Sequence, residues 1–193
     1  MKKPLLGEKI AVLVANGFSE KDLTLTQRAL VSVGAHIRIV SMEQGLVNSW
    51  NDSGWGLNFA ADQVLSSALA ADFDMLIVPG GARSAEKLKL TAHTRRFIGG
   101  FVDAGKPVAF FEDAVSLLMF AGRASGYTLT GPESLQVEAE TQGAVWCTDT
   151  FVESRNVMSG RSDEKGSEEV SVAVTRFLVE SAEKAKNTVQ QAA

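Results

Sequence analysis

One stretch constrains the fold of this chain more than any other, because a short apolar run leads with almost no loop into an apolar helix. Residues 107–111 are typical of a buried strand, and the residues from Ala114 onward are typical of a helix. Between them lie two acids, Glu112 and Asp113, and we call this turn the elbow. The first turn of a helix offers free N–H groups and a dipole that favour negative charge. Enzymes that use such a corner usually place a nucleophile there.

The same alternation of strands and helices runs through the chain. Apolar runs predict parallel strands buried on both faces, and amphipathic stretches between them predict helices. The predicted strands are residues 9–15, 36–40, 73–78 and 107–111, and the predicted helices are residues 22–33, 91–104, 114–121 and 167–185. This order predicts an α/β fold with three layers and a mostly parallel sheet. We expect one domain over residues 1–193, with a core over about residues 9–185.

Other segments give weaker patterns. Turn formers mixed with aromatic residues over residues 44–63 predict a hairpin or an edge excursion. Residues 62–70 are interpreted as a short helix, and the end of the chain, residues 187–193, as a frayed tail. Further short strands are predicted at residues 127–130, 136–140, 144–147, 151–152 and 157–160.

Composition narrows the classes of function. A chain of 193 residues with 45% hydrophobic content suits one compact domain, and a net charge of −4 gives no reason to expect nucleic acid as a partner. No stretch approaches the ~20 apolar residues needed to cross a membrane, so we expect a cytoplasmic protein. The isolated residues His36 and His93 lack metal-ligand spacing, and no nucleotide-binding motif is present, so neither a metal nor a cofactor is expected.

The order of these features resembles the ThiJ/PfpI superfamily, which includes PfpI-type intracellular peptidases and the Parkinson-associated deglycase. Four segments carry the resemblance: residues 15–18 after the first strand, residues 76–81 with the pair Gly80-Gly81, residues 105–109 before the elbow and residues 118–122 after it. The resemblance covers about residues 9–180. It implies a flavodoxin-like sandwich, also described as class I glutamine amidotransferase-like, and a homodimer or larger homo-oligomer.

The catalytic positions depart from this pattern. Members of the superfamily typically carry Cys and then His at the elbow, and these positions fall on Glu112 and Asp113. They also carry a Glu after the first strand, and that place falls on Ser19, with Glu20 next to it. The single cysteine, Cys147, lies far along the chain and cannot replace the nucleophile by position. The C-terminal domain of large-subunit catalases is similar too, and it likewise lacks the Cys and has an Asp-Ala pair like Asp113-Ala114.

Three interpretations of the elbow stay open. The acids cap a helix N-terminus in a pocket that has lost its chemistry. Alternatively, the elbow is a binding pocket, in which Glu112 and Asp113 bind a ligand, or Glu112 a partner chain, opposite N–H donors of Gly80 and Gly81. In the third, Glu112 is a general acid or base whose pKa is tuned by burial, with the Ser19 hydroxyl donating to its carboxylate.

The expected function is therefore a small-molecule-binding or structural, oligomeric module without thiol chemistry. A carboxylate is a far weaker nucleophile toward carbonyl carbon than a thiolate. The alternative is an enzyme that uses Glu112 for acid–base chemistry on a small carbonyl compound, as a hydratase or isomerase. The aromatic segment over residues 50–59 is the candidate oligomer contact.

Overall fold

The structure, a computed structural model, describes residues 3–162 and 166–191, with the side chains of residues 189 and 190 excepted. The strands are β1 (Lys9–Val14), β2 (Phe18–Ser19), β3 (His36–Ser41), β4 (Leu46–Asn51), β5 (Gly54–Ala60), β6 (Gln63–Val64), β7 (Met75–Val78), β8 (Val108–Phe111), β9 (Thr128–Leu129), β10 (Val145–Trp146), β11 (Phe151–Ser154) and β12 (Val157–Gly160). The α-helices are α1 (Glu20–Ser32), α2 (Ala82–Leu88), α3 (Ala92–Asp103), α4 (Ser116–Phe120), α5 (Gln136–Thr141) and α6 (Ser167–Gln191).

The central sheet has seven strands in the order β11-β12-β8-β7-β1-β3-β6. Every neighbouring pair in it is parallel except β11 with β12, which is antiparallel. Parallel strands of this kind place their carboxyl ends at one edge of the sheet. Strands β1, β7, β8 and β12 are consecutive in the sheet, so the residues that follow them share that edge.

Helices cover both faces of the sheet. Helices α1 and α6 pack on one face, where Leu23, Leu30 and Leu178 meet apolar residues of β1, β7 and β8. Helices α2 to α5 pack on the other face, where the largest buried side chains include Phe97 and Phe101 of α3. Because successive strand residues point to opposite faces, each central strand contributes to both cores. The prediction of a three-layer α/β fold with a mostly parallel sheet is confirmed.

The hairpin expected over residues 44–63 is also present. Strands β4 and β5 pair antiparallel, and β4 adds to the two-residue strand β2. The carboxylate of Glu20 holds the hairpin to the start of α1, since its Oε2 accepts hydrogen bonds from Ser49 Oγ (2.5 Å) and from the Leu57 backbone N–H (2.7 Å).

Three local predictions are wrong. Residues 136–140, whose alternation of polar and apolar residues predicted a strand, form helix α5, in which Gln136 bonds Glu140 one turn away at 2.9 Å. Residues 62–70 form β6 and turns instead of a helix, because the backbone of Leu65 hydrogen-bonds Ser41 of β3. Helix α6 extends to Gln191, so the described part of the expected tail is helical, while residues 192 and 193 lie outside the described residues.

One helix was missed by the sequence analysis. Helix α2 (Ala82–Leu88) follows directly after Gly81 and buries Ala85 and Leu88. Two glycines before a short helix predict a loop more readily than a helix N-terminus. Among the helices of the described residues, none combines the length and the apolar character that crossing a membrane requires.

Candidate functional site

The backbone of the elbow is strained at Glu112, the first residue of the turn. Glu112 follows β8 directly and has a φ of 47°, a left-handed conformation that residues other than glycine rarely adopt. It opens a 3₁₀ turn (Glu112–Val115) that continues into α4. Such a backbone costs on the order of 1–3 kcal/mol and persists only where the surroundings enforce it. The buried strand β8 on one side and the buried helix α4 on the other enforce it here.

The Glu112 side chain turns back toward the end of β12. It is half-buried, and its Oε2 accepts a hydrogen bond of 2.8 Å from the backbone N–H of Ser162. Ser162 lies two residues after β12, the strand next to β8, which explains how residues 50 positions apart meet.

Asp113, the second acid of the elbow, is half-buried as well. Burial raises its pKa, whereas its own backbone N–H, the charge of Lys89 and the N–H of Gly81 act in the opposite direction. The negative charge of Glu86 adds to the rise. Asp113 is therefore easier to protonate than an ordinary aspartate.

The glycine pair after β7 lies beside the elbow, since a Cβ on Gly80 would lie 3.2 Å from the Cβ of Glu112. The backbone N–H of Gly80 donates to Asp22 Oδ2 at 3.0 Å, and its carbonyl accepts from the Ser19 N–H at 2.8 Å. Gly81 has a φ of 112°, and a Cβ there would lie 2.6 Å from the carbonyl oxygen of Gly17. Only glycine fits this close approach of two backbones. The Gly80 donor expected for a ligand is used by a carboxylate of the protein itself.

Asp22, on the first turn of α1, is the acid that reaches this site, and the sequence analysis missed it. Its side chain is almost fully buried, with 1% exposed. Oδ2 accepts from Gly80 and also from the hydroxyl of Ser162 at 3.0 Å, while the buried Oδ1 has no hydrogen-bond partner among the residues that the structure describes.

The pKa of Asp22 reflects this environment. Burial raises it to about 6, and the hydrogen bonds from Gly80 and Ser162 offset part of the rise. The Ser19 hydroxyl and the charge of Lys21 also act to lower the pKa of Asp22. No hydrogen bond of ordinary geometry joins Ser19 to Oδ1, however. Because a carboxyl group with such a pKa changes charge close to neutral pH, Asp22 is the group best suited to proton transfer here.

The hydrogen bonds of the two other candidates, Ser19 and Glu20, go to partners other than Glu112 and Asp113. Ser19 caps α1 and accepts a hydrogen bond of 3.3 Å from the backbone N–H of Asp22. Within the residues that the structure describes, no hydrogen bond joins Ser19 to Glu112, so the hydroxyl–carboxylate pair expected from the sequence is not formed. Glu20 binds the hairpin instead. The acid that follows the first strand and faces the elbow is Asp22, three positions beyond the place assigned to it.

Ser162 was also missed. It donates to both carboxylates at once, through its N–H to Glu112 and through its hydroxyl to Asp22. The available signal was its place just after the last predicted strand, at the same edge of the sheet as the elbow. In the described part of the chain, residues 3–162 and 166–191, no three His, Cys, Asp or Glu side chains are arranged to hold a metal ion.

Comparison with known proteins agrees with this architecture. The sequence model of the DJ-1/PfpI family matches residues 8–174, and the chain therefore belongs to that family. General stress protein 18 of Bacillus subtilis is 27% identical over 157 residues, which cover 78% of this chain and 90% of that protein. The deglycase PfpI of Pyrococcus furiosus is 26% identical over 153 residues, covering 79% and 89%.

Solved structures show the same fold at lower identity. A two-domain protein of Anabaena variabilis, with DJ-1/ThiJ/PfpI-like and ferritin-like domains, has a TM-score of 0.80 at 20% identity and covers 89% of this chain. This chain spans about half of that two-domain protein, 48% of its length. The resemblance to large catalases is present too, since catalase HPII of Pseudomonas aeruginosa is 28% identical over 109 residues, covering 56% of this chain and 15% of that enzyme.

Proposed function

We propose that this DJ-1/PfpI family protein lacks the thiol-dependent chemistry of the family and binds a small molecule at the elbow. The observation that carries the proposal is the replacement of a nucleophile by Glu112 at the left-handed position after β8. A carboxylate held by the Ser162 N–H is a hydrogen-bonding group, whereas attack on a carbonyl carbon needs a polarizable nucleophile such as a thiolate.

The single cysteine supports this proposal by its position. Cys147 follows β10, which belongs to a separate two-stranded sheet with β9. Its backbone N–H bonds Leu129 of that sheet. It is therefore part of a different element from the strands that end at the elbow.

An assay of dicarbonyl consumption tests the proposal. The purified protein and its Cys147→Ser variant are incubated with methylglyoxal and with a methylglyoxal-modified thiol, and both are expected to match the protein-free reaction. Turnover by the wild type that disappears in Cys147→Ser would overturn the proposal.

Binding is tested separately by NMR. We expect members of a defined set of small amines, carboxylates and carbonyl compounds to shift the backbone amide signals of Gly80, Gly81, Glu112 and Ser162 in a saturable way. If no compound shifts these four signals, the ligand-binding role fails and a purely structural role of the elbow is favoured.

A second candidate function has one specific observation in its favour. The pKa of Asp22, which burial raises to about 6, supports acid–base chemistry on a small carbonyl compound, and so does its Oδ1, which has no hydrogen-bond partner within the described part of the chain. In this version the acid is Asp22, and Glu112, which is half-buried, faces the substrate. Turnover of any such compound that is lost in both Asp22→Asn and Glu112→Gln would favour the enzyme over the binding protein.

The proposal includes self-association through the aromatic hairpin. Trp50 and Trp55 stack edge to face with ring centroids 5.5 Å apart, and Trp55 is 57% exposed. Large exposed apolar side chains at a strand pair are typical of interfaces. Light scattering after size exclusion is expected to give at least twice the mass of the chain for the wild type and less for Trp55→Asp. A monomeric wild type would refute this part.

A further inference from the structure

Ser162 joins two acids that lie far apart in the sequence. Its hydroxyl donates to Asp22 Oδ2 at 3.0 Å and its backbone N–H donates to Glu112 Oε2 at 2.8 Å. One residue therefore touches both carboxyl groups.

The two acids also meet at one glycine. A Cβ placed on Gly80 would lie 2.9 Å from Asp22 Oδ2 and 3.2 Å from the Cβ of Glu112. The carboxyl group of Asp22 and the Cβ of Glu112 therefore lie against the same backbone position. Carboxyl groups that lie close together disfavour each other's charge.

The bonding of Asp22 indicates which oxygen holds a proton. Oδ2 accepts two hydrogen bonds, from Gly80 and Ser162, so it acts as the acceptor oxygen. Oδ1 is buried and has no partner within the described residues. A buried, unsatisfied oxygen is costly when it carries part of a negative charge, and a proton on Oδ1 removes that charge.

Among the residues that the structure describes, few charged groups flank Asp22. On its own helix, Lys21 favours the ionised form, and Glu20 is bound to the hairpin. Glu112 lies at the elbow, the turn of residues 79–81 has no charged side chain, and Arg161 precedes Ser162 in the sequence. The charge of Lys21 is the smallest of the effects on Asp22, and burial is the largest.

We propose that Asp22, Ser162 and Glu112 form one proton-holding unit that regulates the elbow. With a proton on Asp22 Oδ1 the pair carries the single charge of Glu112, and without that proton it carries two charges on either side of Ser162. Ser162 is the positioning residue that couples the two acids. The unit concerns the site proposed above, but its existence is measured without any ligand, so its failure and that of the proposed function are distinguishable.

The test is a pH titration of the full chain by NMR with carbon-13 in the carboxyl groups of Asp and Glu. In the wild type, the Asp22 signal is expected to titrate near pH 6, and the Glu112 signal is expected to show an inflection at the same pH. In Asp22→Asn, where the side-chain oxygen still accepts from Gly80 and Ser162, the Glu112 inflection is expected to disappear.

The role of Ser162 is tested by three variants. Ser162→Ala keeps the N–H and loses the hydroxyl, so the midpoint of Asp22 is expected to rise by more than about 0.5 pH unit. Ser162→Thr retains a hydroxyl and is expected to restore the midpoint. Ser154→Ala is the matched control, because its hydroxyl accepts from Thr128 at the sheet edge and does not touch either acid.

Two results would overturn the proposal. One is an Asp22 midpoint that does not move in Ser162→Ala. The other is a Glu112 signal whose inflection near pH 6 is absent in the wild type or persists in Asp22→Asn. If Ser162→Ala does not fold, the comparison of the wild type with Asp22→Asn decides the coupling by itself.

Discussion

The hydroxyl of Ser162 donates a 3.0 Å hydrogen bond to Oδ2 of Asp22, although 140 positions separate the two residues. The bond spans the width of the site, from the end of β12 to the first turn of α1. Through Ser162, the carboxyl group of Asp22 lies next to that of Glu112. Of the two acids, Glu112 is the one in the turn after β8.

The first prediction concerns Asp22 and pH. Because the folded-state pKa is raised from 3.8 to about 6, the folded state binds more protons between these values, so this carboxyl group lowers stability as pH rises toward 6. Asp22→Asn removes that loss. Relative to the wild type, the variant is expected to gain about 2 kcal/mol in free energy of unfolding between pH 4.5 and pH 7.5. Urea unfolding at the two pH values measures the gain.

Asp103→Asn is the control for this experiment. The pKa of Asp103, which is paired with Arg123 at the surface, is lowered instead of raised, so its replacement is not expected to give a gain of the same sign. A relative stability of Asp22→Asn that is the same at both pH values would contradict an elevated pKa of Asp22.

The second prediction concerns the left-handed backbone of Glu112. Glycine adopts a φ of 47° without strain and alanine does not, while both remove the carboxylate. Glu112→Gly is therefore expected to unfold with a free energy about 1 kcal/mol higher than Glu112→Ala, as measured by chemical denaturation. The same pair of substitutions at Asp113, where φ is negative, is expected to give the opposite order. An alanine variant at position 112 as stable as the glycine variant would show that the corner relaxes.

The third prediction concerns the attachment of the hairpin to α1. A Cβ on Gly56 would collide with the Glu20 carboxylate and lie 2.7 Å from Ser49 Oγ, so Gly56→Ala breaks the contacts that hold β5. A loss of about 1–3 kcal/mol in the free energy of unfolding is expected, with a weaker near-ultraviolet signal from the stacked Trp50 and Trp55.

Gly54→Ala provides a matched comparison in the same strand. Apart from the two neighbouring residues in the chain, no described residue has a heavy atom within 4 Å of a Cβ at that position. We therefore expect the stability of Gly54→Ala to stay within about 0.5 kcal/mol of the wild type. If both alanine variants lose the same stability, the loss comes from the intrinsic preference of the strand and Glu20 has no special role.

Much of the fold was predictable from local patterns. Continuous apolar runs such as residues 9–15 and 107–111 gave the parallel strands, since a strand covered on both faces has no polar side to alternate with. The local pattern gave a wrong prediction at residues 136–140, because the order of apolar and polar residues in so short a segment fits a strand as well as a helix. In the structure this segment is helix α5, which packs Ala139 into the core.

The sequence by itself determined that the corner after β8 is an acid and that the only cysteine lies elsewhere, since both depend on residue identity in a recognisable strand–turn–helix pattern. Which second acid faces Glu112 was decided by the tertiary structure. Asp22 and Ser162 come together only because β12, β8, β7 and β1 are adjacent in the sheet, an order that no local pattern contains. Burial in that arrangement raises the pKa of Asp22, because removing a carboxyl group from water disfavours its charged form.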